Sequence, residues 1–220
     1  MECGEHREYF LNTVIVVGSA LAMVMLLGAM CAYVLARFSF RGNRIIYYGM
    51  IAGLTFPIFL AVVPLFFILQ NMGLIGGRIG LLGVILSYVA FALPFTVFFL
   101  HSFFVGLPQE SSEAAALDGA GDFRTFFQIM LPMAKPGLVS VAIFNFLGLW
   151  NQYLLPLVLN TDPRNAVLAQ GLVNLQAQQG YRTVWAGMFA SVVITVLPVL
   201  VVYVIFQRQL QGGVGTSTDK

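Results

Sequence analysis

Long, uninterrupted apolar stretches dominate the chain, and short polar segments separate them. A helix rises about 1.5 Å per residue, so about 20 consecutive apolar residues cross a bilayer core of about 30 Å. Transmembrane strands would instead give segments of about ten residues with alternating polarity, which this sequence lacks. The pattern therefore predicts five membrane-spanning helices, at approximately residues 11–36, 45–69, 79–104, 138–159 and 185–206.

Composition supports an all-α, polytopic transmembrane bundle. Of the 220 residues, 59% are hydrophobic and 9% are charged, whereas soluble domains carry about 25% charged residues. A soluble fold of this length could not bury so much apolar surface, which excludes a water-soluble enzyme. The net charge of +2 is too small to indicate a nucleic-acid partner. Cys3 and Cys31 provide neither a disulfide framework nor metal-ligand spacing.

Basic residues in the connecting segments predict the orientation of the spans. Arg37, Arg41 and Arg44 crowd the first short connection, and the alternation of five spans puts seven Lys and Arg residues on that side and four on the other. The richer side is predicted to be cytoplasmic, and it includes the C-terminus. The N-terminus would then lie outside without a signal peptide. We therefore expect that a further helix belongs upstream of this sequence.

The sequence offers no residues for catalysis. The phosphate-binding pattern G-x-x-x-x-G-K-[ST] is absent, and Lys135 and Lys220 are the only lysines. No dinucleotide, paired-cysteine, zinc-protease or Ser/His/Asp pattern occurs, so we predict no catalytic residue, metal or cofactor. All nine acidic residues fall in termini or connections, which leaves no intramembrane carboxylate for proton coupling. Either another protein supplies the energy, or transport is passive.

The connection at residues 105–137 carries the most information. Pro108 is suited to a helix start, Ser111 or Ser112 could cap that helix, and Gly119 permits the turn that ends it. Three alanines between these points are strong helix formers with small side chains. The sequence therefore predicts a short helix of two or three turns, with a surface that another protein can approach closely.

The spacing of this segment resembles the EAA loop of binding-protein-dependent ABC importer permeases. That signature reads E-A-A, three residues, G, nine residues, I-x-L-P. Glu113 to Ala115, Gly119, Ile129, Leu131 and Pro132 match every fixed position of it. Asp118 and Ala120 around the glycine also resemble the common D-G-A variant.

The resemblance implies that the loop forms a coupling helix, which sits in a cleft of a separate ATP-binding cassette subunit. It further implies a second permease subunit, an extracytoplasmic substrate-binding protein, and alternating access driven by ATP hydrolysis on the partner. The implied ATPase-coupling residues in this sequence are Glu113, Ala114, Ala115, Asp118, Gly119 and Ala120.

Other segments resemble the carbohydrate branch of the same family, the maltose-permease-like proteins. They are the L-N-T at residues 11–13, the A-Y and A-R-F at 32–38, and the W-N followed by L-P at 150–156. The resemblance implies a type I importer permease fold, as one permease domain over residues 1–220, in a bacterial plasma membrane. This branch usually has six spans, so five visible spans suggest that the first helix is missing.

Polar residues in the fourth predicted span are candidates for the substrate path: Asn145, Trp150, Asn151 and Gln152. Amides can hydrogen-bond sugar hydroxyls, and an indole face can cover sugar carbons. The alternative is that these groups join helices or lie in the interfacial belt. The absence of charge inside the spans favours a neutral solute.

The predicted function is therefore the permease subunit of an ABC importer for a sugar or sugar derivative, embedded in membrane lipid. Two alternatives stay open. A passive facilitator or channel would need no ATPase, although the EAA-like loop argues against it. A permease for another solute, such as glycerol phosphate, would share the loop but should place basic residues along its path.

Overall fold

In the computed structural model, residues 3–179 and 185–214 are described, and the statements below concern this part of the chain. It is helical, with connections and two short 3₁₀ turns at Gly77–Ile79 and Pro163–Asn165. The helices are, in order, α1 (Cys3–Arg37), α2 (Asn43–Leu54), α3 (Ile58–Asn71), α4 (Gly80–Gly106), α5 (Glu110–Leu117), α6 (Asp122–Thr125), α7 (Leu131–Met133), α8 (Lys135–Trp150), α9 (Leu154–Leu159), α10 (Leu168–Gln179) and α11 (Trp185–Val214). A π-helical segment, Phe126–Met130, joins α6 to α7.

Two helices are each long and apolar enough to cross a membrane alone. They are Arg7–Arg37 within α1, of 31 residues, and α4, of 27 residues. At about 1.5 Å per residue both exceed a bilayer core of about 30 Å. The predicted spans 11–36 and 79–104 fall within these two helices almost entirely.

The predicted span 45–69 differs from the structure, which divides it into α2 and α3. The cause is local. Pro57 precedes α3 with φ −74° and ψ 118°, and a proline disfavours helical geometry in the residue before it. The Thr55 hydroxyl donates to the carbonyl of Ala52 at 2.8 Å and so satisfies one of the last carbonyls of α2.

The predicted span 138–159 is also broken, into α8 and α9. The Asn151 amide donates to the carbonyl of Leu147 at 2.8 Å at the end of α8. The Gln152 side-chain oxygen accepts from the backbone N–H of Leu154 at 3.1 Å at the start of α9. Asn and Gln side chains thus satisfy backbone groups that an unbroken helix would pair internally.

Proline also shapes the entry to α8. The chain direction changes by 77° between Asp122–Met133 and Lys135–Trp150. Pro132 and Pro136 lie on either side of the break, and neither can donate a helical hydrogen bond.

The described residues divide into two compact units. One comprises residues 3–21, 57–89 and the described part of 146–206, and the other comprises 22–56, 90–145 and 207–214. The second unit contains an apolar core centred on Tyr33, whose ring lies 5.6 Å from that of Phe104 and 5.0 Å from that of Phe126. Gly28 allows close packing there, because a Cβ at this position would overlap the Thr96 side chain.

The first unit is held by polar contacts between the start of α1 and the segment before α10. The Asn12 amide donates to the carbonyls of Arg164 and Ala166 at 3.0 and 3.1 Å. The Thr13 hydroxyl accepts from the backbone N–H of Leu168 at 2.9 Å. The L-N-T segment that resembles the family pattern therefore fixes the position of a loop by means of its two polar side chains.

Candidate coupling site and substrate path

The predicted short helix in residues 105–137 is present as α5, Glu110–Leu117. Gln109 precedes it, and its carbonyl accepts from the backbone N–H of Glu113 at 3.1 Å. The Gln109 amide in turn donates to the Glu113 carboxylate at 2.9 Å. The predicted serine cap is wrong, because Ser111 and Ser112 lie inside the helix, and the Ser112 hydroxyl donates back to the Gln109 carbonyl at 2.8 Å.

Gly119 ends the helix, as the sequence predicts, through a Schellman motif. Its φ is +75°, in the left-handed region that side chains disfavour. Its N–H donates to the carbonyl of Ala116 at 3.1 Å, and the N–H of Ala120 donates to that of Ala115 at 2.9 Å. This pair of bonds satisfies two of the last helical carbonyls and turns the chain sharply.

The two sides of α5 differ in exposure. Ala115 is buried at 4% exposure and packs inward. Glu113, Ala114, Asp118 and Gly119 are exposed, and Ala120 is half-buried. The six predicted coupling residues therefore do not form one surface: four present themselves outward and Ala115 supports them from within.

Sequence reasoning missed Leu117, the residue on α5 with the most unusual environment. Its side chain is 90% exposed. Phe123, in α6, is 74% exposed. Both are large apolar side chains left exposed on a connection that is predicted to lie outside the bilayer. The available signal was that a helix of about two turns, with only small alanines beside it, has nothing to cover a leucine at its end.

In the second unit, the structure places Asn145 inside the protein at 5% exposure. Its amide donates to the Thr96 hydroxyl at 2.8 Å and lies 3.7 Å from the Met25 sulfur. The Thr96 hydroxyl itself donates to the carbonyl of Ala92 at 2.9 Å. This geometry matches the alternative in which Asn145 joins helices, because its amide nitrogen bonds to side chains of two other helices of the same chain.

The other three path candidates lie in the first unit and differ from one another. Trp150 is 4% exposed, and its indole N–H donates to the carbonyl of Thr195 at 2.9 Å. Gln152 is half-buried, and its backbone carbonyl accepts from the Tyr88 hydroxyl at 3.1 Å. Asn151 is exposed. Of the four candidates, Asn151 is therefore the most available to a solute.

A short loop in the first unit carries the clearest electrostatic interaction outside the predicted spans. Asp162 accepts hydrogen bonds from the backbone N–H and the guanidinium of Arg164. These bonds lower the pKa of the Asp162 carboxyl below its usual value, so this residue is ionised at neutral pH. Elsewhere in the described residues, no three His, Cys, Asp or Glu side chains are grouped closely enough to hold a metal ion.

Comparison with known proteins now decides the family. Residues 24–215 match the family described as binding-protein-dependent transport system inner membrane component. This match covers most of the chain. The chain belongs to this family.

Similar proteins agree with this assignment. The diacetylchitobiose uptake system permease protein NgcG of Streptomyces coelicolor is 64% identical over 211 residues, which are 96% of this chain and 69% of that protein. The trehalose transport system permease protein SugB of Mycobacterium tuberculosis is 32% identical, over 90% of this chain and 71% of that protein. A crystal structure of a bacterial ABC transporter for alginate import aligns with a TM-score of 0.79 at 21% identity, over 93% of this chain and 75% of that one, and supports the fold.

The prediction of an ABC importer permease of the carbohydrate branch is therefore confirmed, as is the all-α transmembrane fold of type I permeases. The permease is a membrane-embedded transport component and not an enzyme. Its family implies that an ATPase and a substrate-binding protein act with it. Helix α5 contains Glu113, Ala114 and Ala115, which match the start of the EAA signature.

Proposed function

We propose that this permease is one membrane half of an importer for diacetylchitobiose. The observation that carries this proposal is the 64% identity, over 96% of the chain, to a permease of a diacetylchitobiose uptake system. The trehalose permease is about half as similar, at 32% identity. A neutral, N-acetylated disaccharide also suits spans whose sequence is almost free of charged residues.

The proposed energy source is a separate ATPase subunit that docks on the exposed side of α5. Glu113, Ala114, Asp118 and Gly119 form this docking surface, together with Leu117. Ala114 and Gly119 allow close approach, and Leu117 supplies the apolar side chain that a cleft can bury. Ala115 is buried beneath this surface. The half-buried Ala120 belongs to the turn that ends α5, where its N–H bonds to the Ala115 carbonyl.

This docking surface requires that α5 lies in the cytoplasm. The basic cluster at Arg37, Arg41 and Arg44 supports that orientation. With α5 on this side, the loop containing Asp162 lies outside, where the substrate-binding protein delivers the sugar. The same alternation places the C-terminus in the cytoplasm of a bacterium, with the permease in its plasma membrane beside a second permease subunit.

The substrate is tested by reconstituting the permease with its second permease, ATPase and binding protein in proteoliposomes. We expect the binding protein loaded with diacetylchitobiose to stimulate ATP hydrolysis and uptake. Trehalose, maltose and glycerol 3-phosphate serve as matched competitors. Equal stimulation by trehalose would contradict the substrate proposal, and uptake without ATP would favour a passive facilitator.

We propose different roles for Asn151 and Asn145: Asn151 lines the substrate path, and Asn145 holds helices together. We expect Asn151→Ala to lower the melting temperature of the purified complex less than Asn145→Ala does, while lowering the rate of uptake several-fold, since the bond from Asn151 to the Leu147 carbonyl is exposed to solvent. Asn145→Ala should lower the melting temperature, because it breaks a buried hydrogen bond that is worth about 1 kcal/mol. Both quantities are measured on the same preparations. If Asn151→Ala transports normally and Asn145→Ala is fully stable but inactive, the assignment of the two residues is reversed.

A further inference from the structure

Arg37 is the last residue of α1, and it bonds to a segment that lies 70 positions further along the chain. Its guanidinium Nη2 donates to the carbonyl of Leu107 at 2.7 Å. Leu107 directly follows α4, so its carbonyl is one of those that a helix end leaves without an internal partner. One side chain therefore connects the ends of the two longest helices in the described first half of the chain.

In the described part of the chain, no ion pair explains why Arg37 occupies this position, although Asp122 lines the same cavity. Within the described residues Arg37 forms no ion pair, and its Nε is buried without a hydrogen-bond partner. Helix carbonyl ends carry partial negative charge, and both α1 and α4 end here, which favours a cation. The Leu35 carbonyl in the last turn of α1 and the Phe38 carbonyl just after it have another donor, because the Asn43 amide bonds to them at 3.0 and 2.7 Å. The Arg37 guanidinium therefore bonds to the Leu107 carbonyl and not to the end of its own helix.

A cavity of about 250 Å³ separates Arg37 from α5. Tyr33 and Arg37 line it from α1, and Ser112 and Ala116 line it from α5. The space lets α5 move relative to the end of α1 without an immediate clash. Movement of α5 would then reach α1 through the covalent chain and through the bond between Leu107 and Arg37.

The chain between Leu107 and α5 is short and stiff. Only Pro108 and Gln109 separate Leu107 from the first residue of α5, Glu110. Proline fixes φ near −65°, which limits how far this linker can bend. One turn before Arg37, Tyr33 packs on Phe104 near the end of α4. A displacement of α5 therefore acts on Leu107 first.

We propose that Arg37 is a positioning residue that transmits displacement of α5 to α1, and so links ATP hydrolysis to reorientation of the spans. The inference rests on the proposed docking of an ATPase on α5. Without the Arg37 bond, the end of α4 and α5 could move while α1 stays in place. Hydrolysis would continue, but fewer sugar molecules would cross the membrane per ATP.

The test measures uptake per ATP hydrolysed in proteoliposomes that contain the full importer. Arg37→Ala removes the donor, Arg37→Gln removes the charge, and Arg37→Lys keeps a charged donor for the single carbonyl. Arg41→Gln is the matched control, because Arg41 lies on the same connection and is exposed. The wild-type complex is first shown to co-purify with its ATPase. Failure at that stage would reject the docking of the ATPase and not the role of Arg37.

We expect Arg37→Ala to co-purify with the ATPase, keep most of its hydrolysis, and lose about tenfold in uptake per ATP, since a charged hydrogen bond contributes enough for a change of that order. Arg37→Lys should restore at least half of the ratio, and Arg41→Gln should match wild type. A normal ratio in Arg37→Ala would overturn the proposal. If Arg37→Ala does not assemble, Arg37→Gln and Arg37→Lys decide: equal ratios in these two would also overturn it.

Discussion

Gly119→Trp is expected to lower the affinity of the permease for its ATPase at least about tenfold, which corresponds to about 1.4 kcal/mol of binding free energy. A Cβ at Gly119 would meet no other atom within 4 Å in this chain. A side chain at this position therefore leaves the backbone into open space and extends over the surface on which the ATPase is proposed to sit. Co-purification at increasing salt and ATPase activity in proteoliposomes measure the effect.

Gly42→Trp is the matched control for Gly119→Trp. Gly42 also has a positive φ, of 96°, and open space around its Cβ position. Both variants therefore carry the same backbone strain, about 1–2 kcal/mol for a left-handed residue with a side chain. Gly119→Asn adds a second comparison, since asparagine tolerates this conformation. If Gly42→Trp and Gly119→Trp lose ATPase binding equally, backbone strain and not an interface explains the loss.

Leu117→Asp is expected to abolish ATPase docking with little effect on the stability of the permease. The side chain is 90% exposed, so the folded permease loses little apolar burial on substitution. In a complex, the carboxylate would instead be buried without a partner, which costs several kcal/mol. Binding of the ATPase to detergent-purified permease, with the melting temperature of the permease alone, separates the two effects.

Met72→Asp is the control for Leu117→Asp. Met72 is 62% exposed at the end of α3, on a different connection, and the alternation of spans places it on the opposite side of the membrane. The same change in charge and polarity there should leave ATPase binding intact. Leu117→Ala should fall between wild type and Leu117→Asp. Normal uptake by Leu117→Asp would show that this leucine lies outside the interface.

The family and the place of helix α5 could be predicted from local sequence. Glu113, Gly119 and Pro132 stand at spacings that few sequences share, and helix capping acts over a few neighbouring residues. The end of α5 at Gly119 followed for this reason. Its start did not, because Gln109 pairs with Glu113 and no serine serves as the cap.

The span boundaries were predicted less well, because hydropathy does not register a break. Averaged over about 20 residues, the hydropathy stays high through both interruptions, because long apolar stretches flank residues 55–57 and 151–153. The break before α3 arises from Pro57, and the one before α9 arises from side-chain bonds of Asn151 and Gln152. The rule that proline disfavours helical geometry in the residue before it predicts the first break but not the second.

The sequence by itself determined that the chain spans a membrane, because bilayer thickness sets span length, and its resemblance to the EAA signature indicated the permease family. Only the tertiary structure decided which side chains are buried and which are exposed. It buried Asn145 against Thr96 and left Leu117 exposed. It also brought Arg37 to the carbonyl of Leu107. Contacts between residues so distant in sequence depend on how helices pack, and no local pattern encodes them.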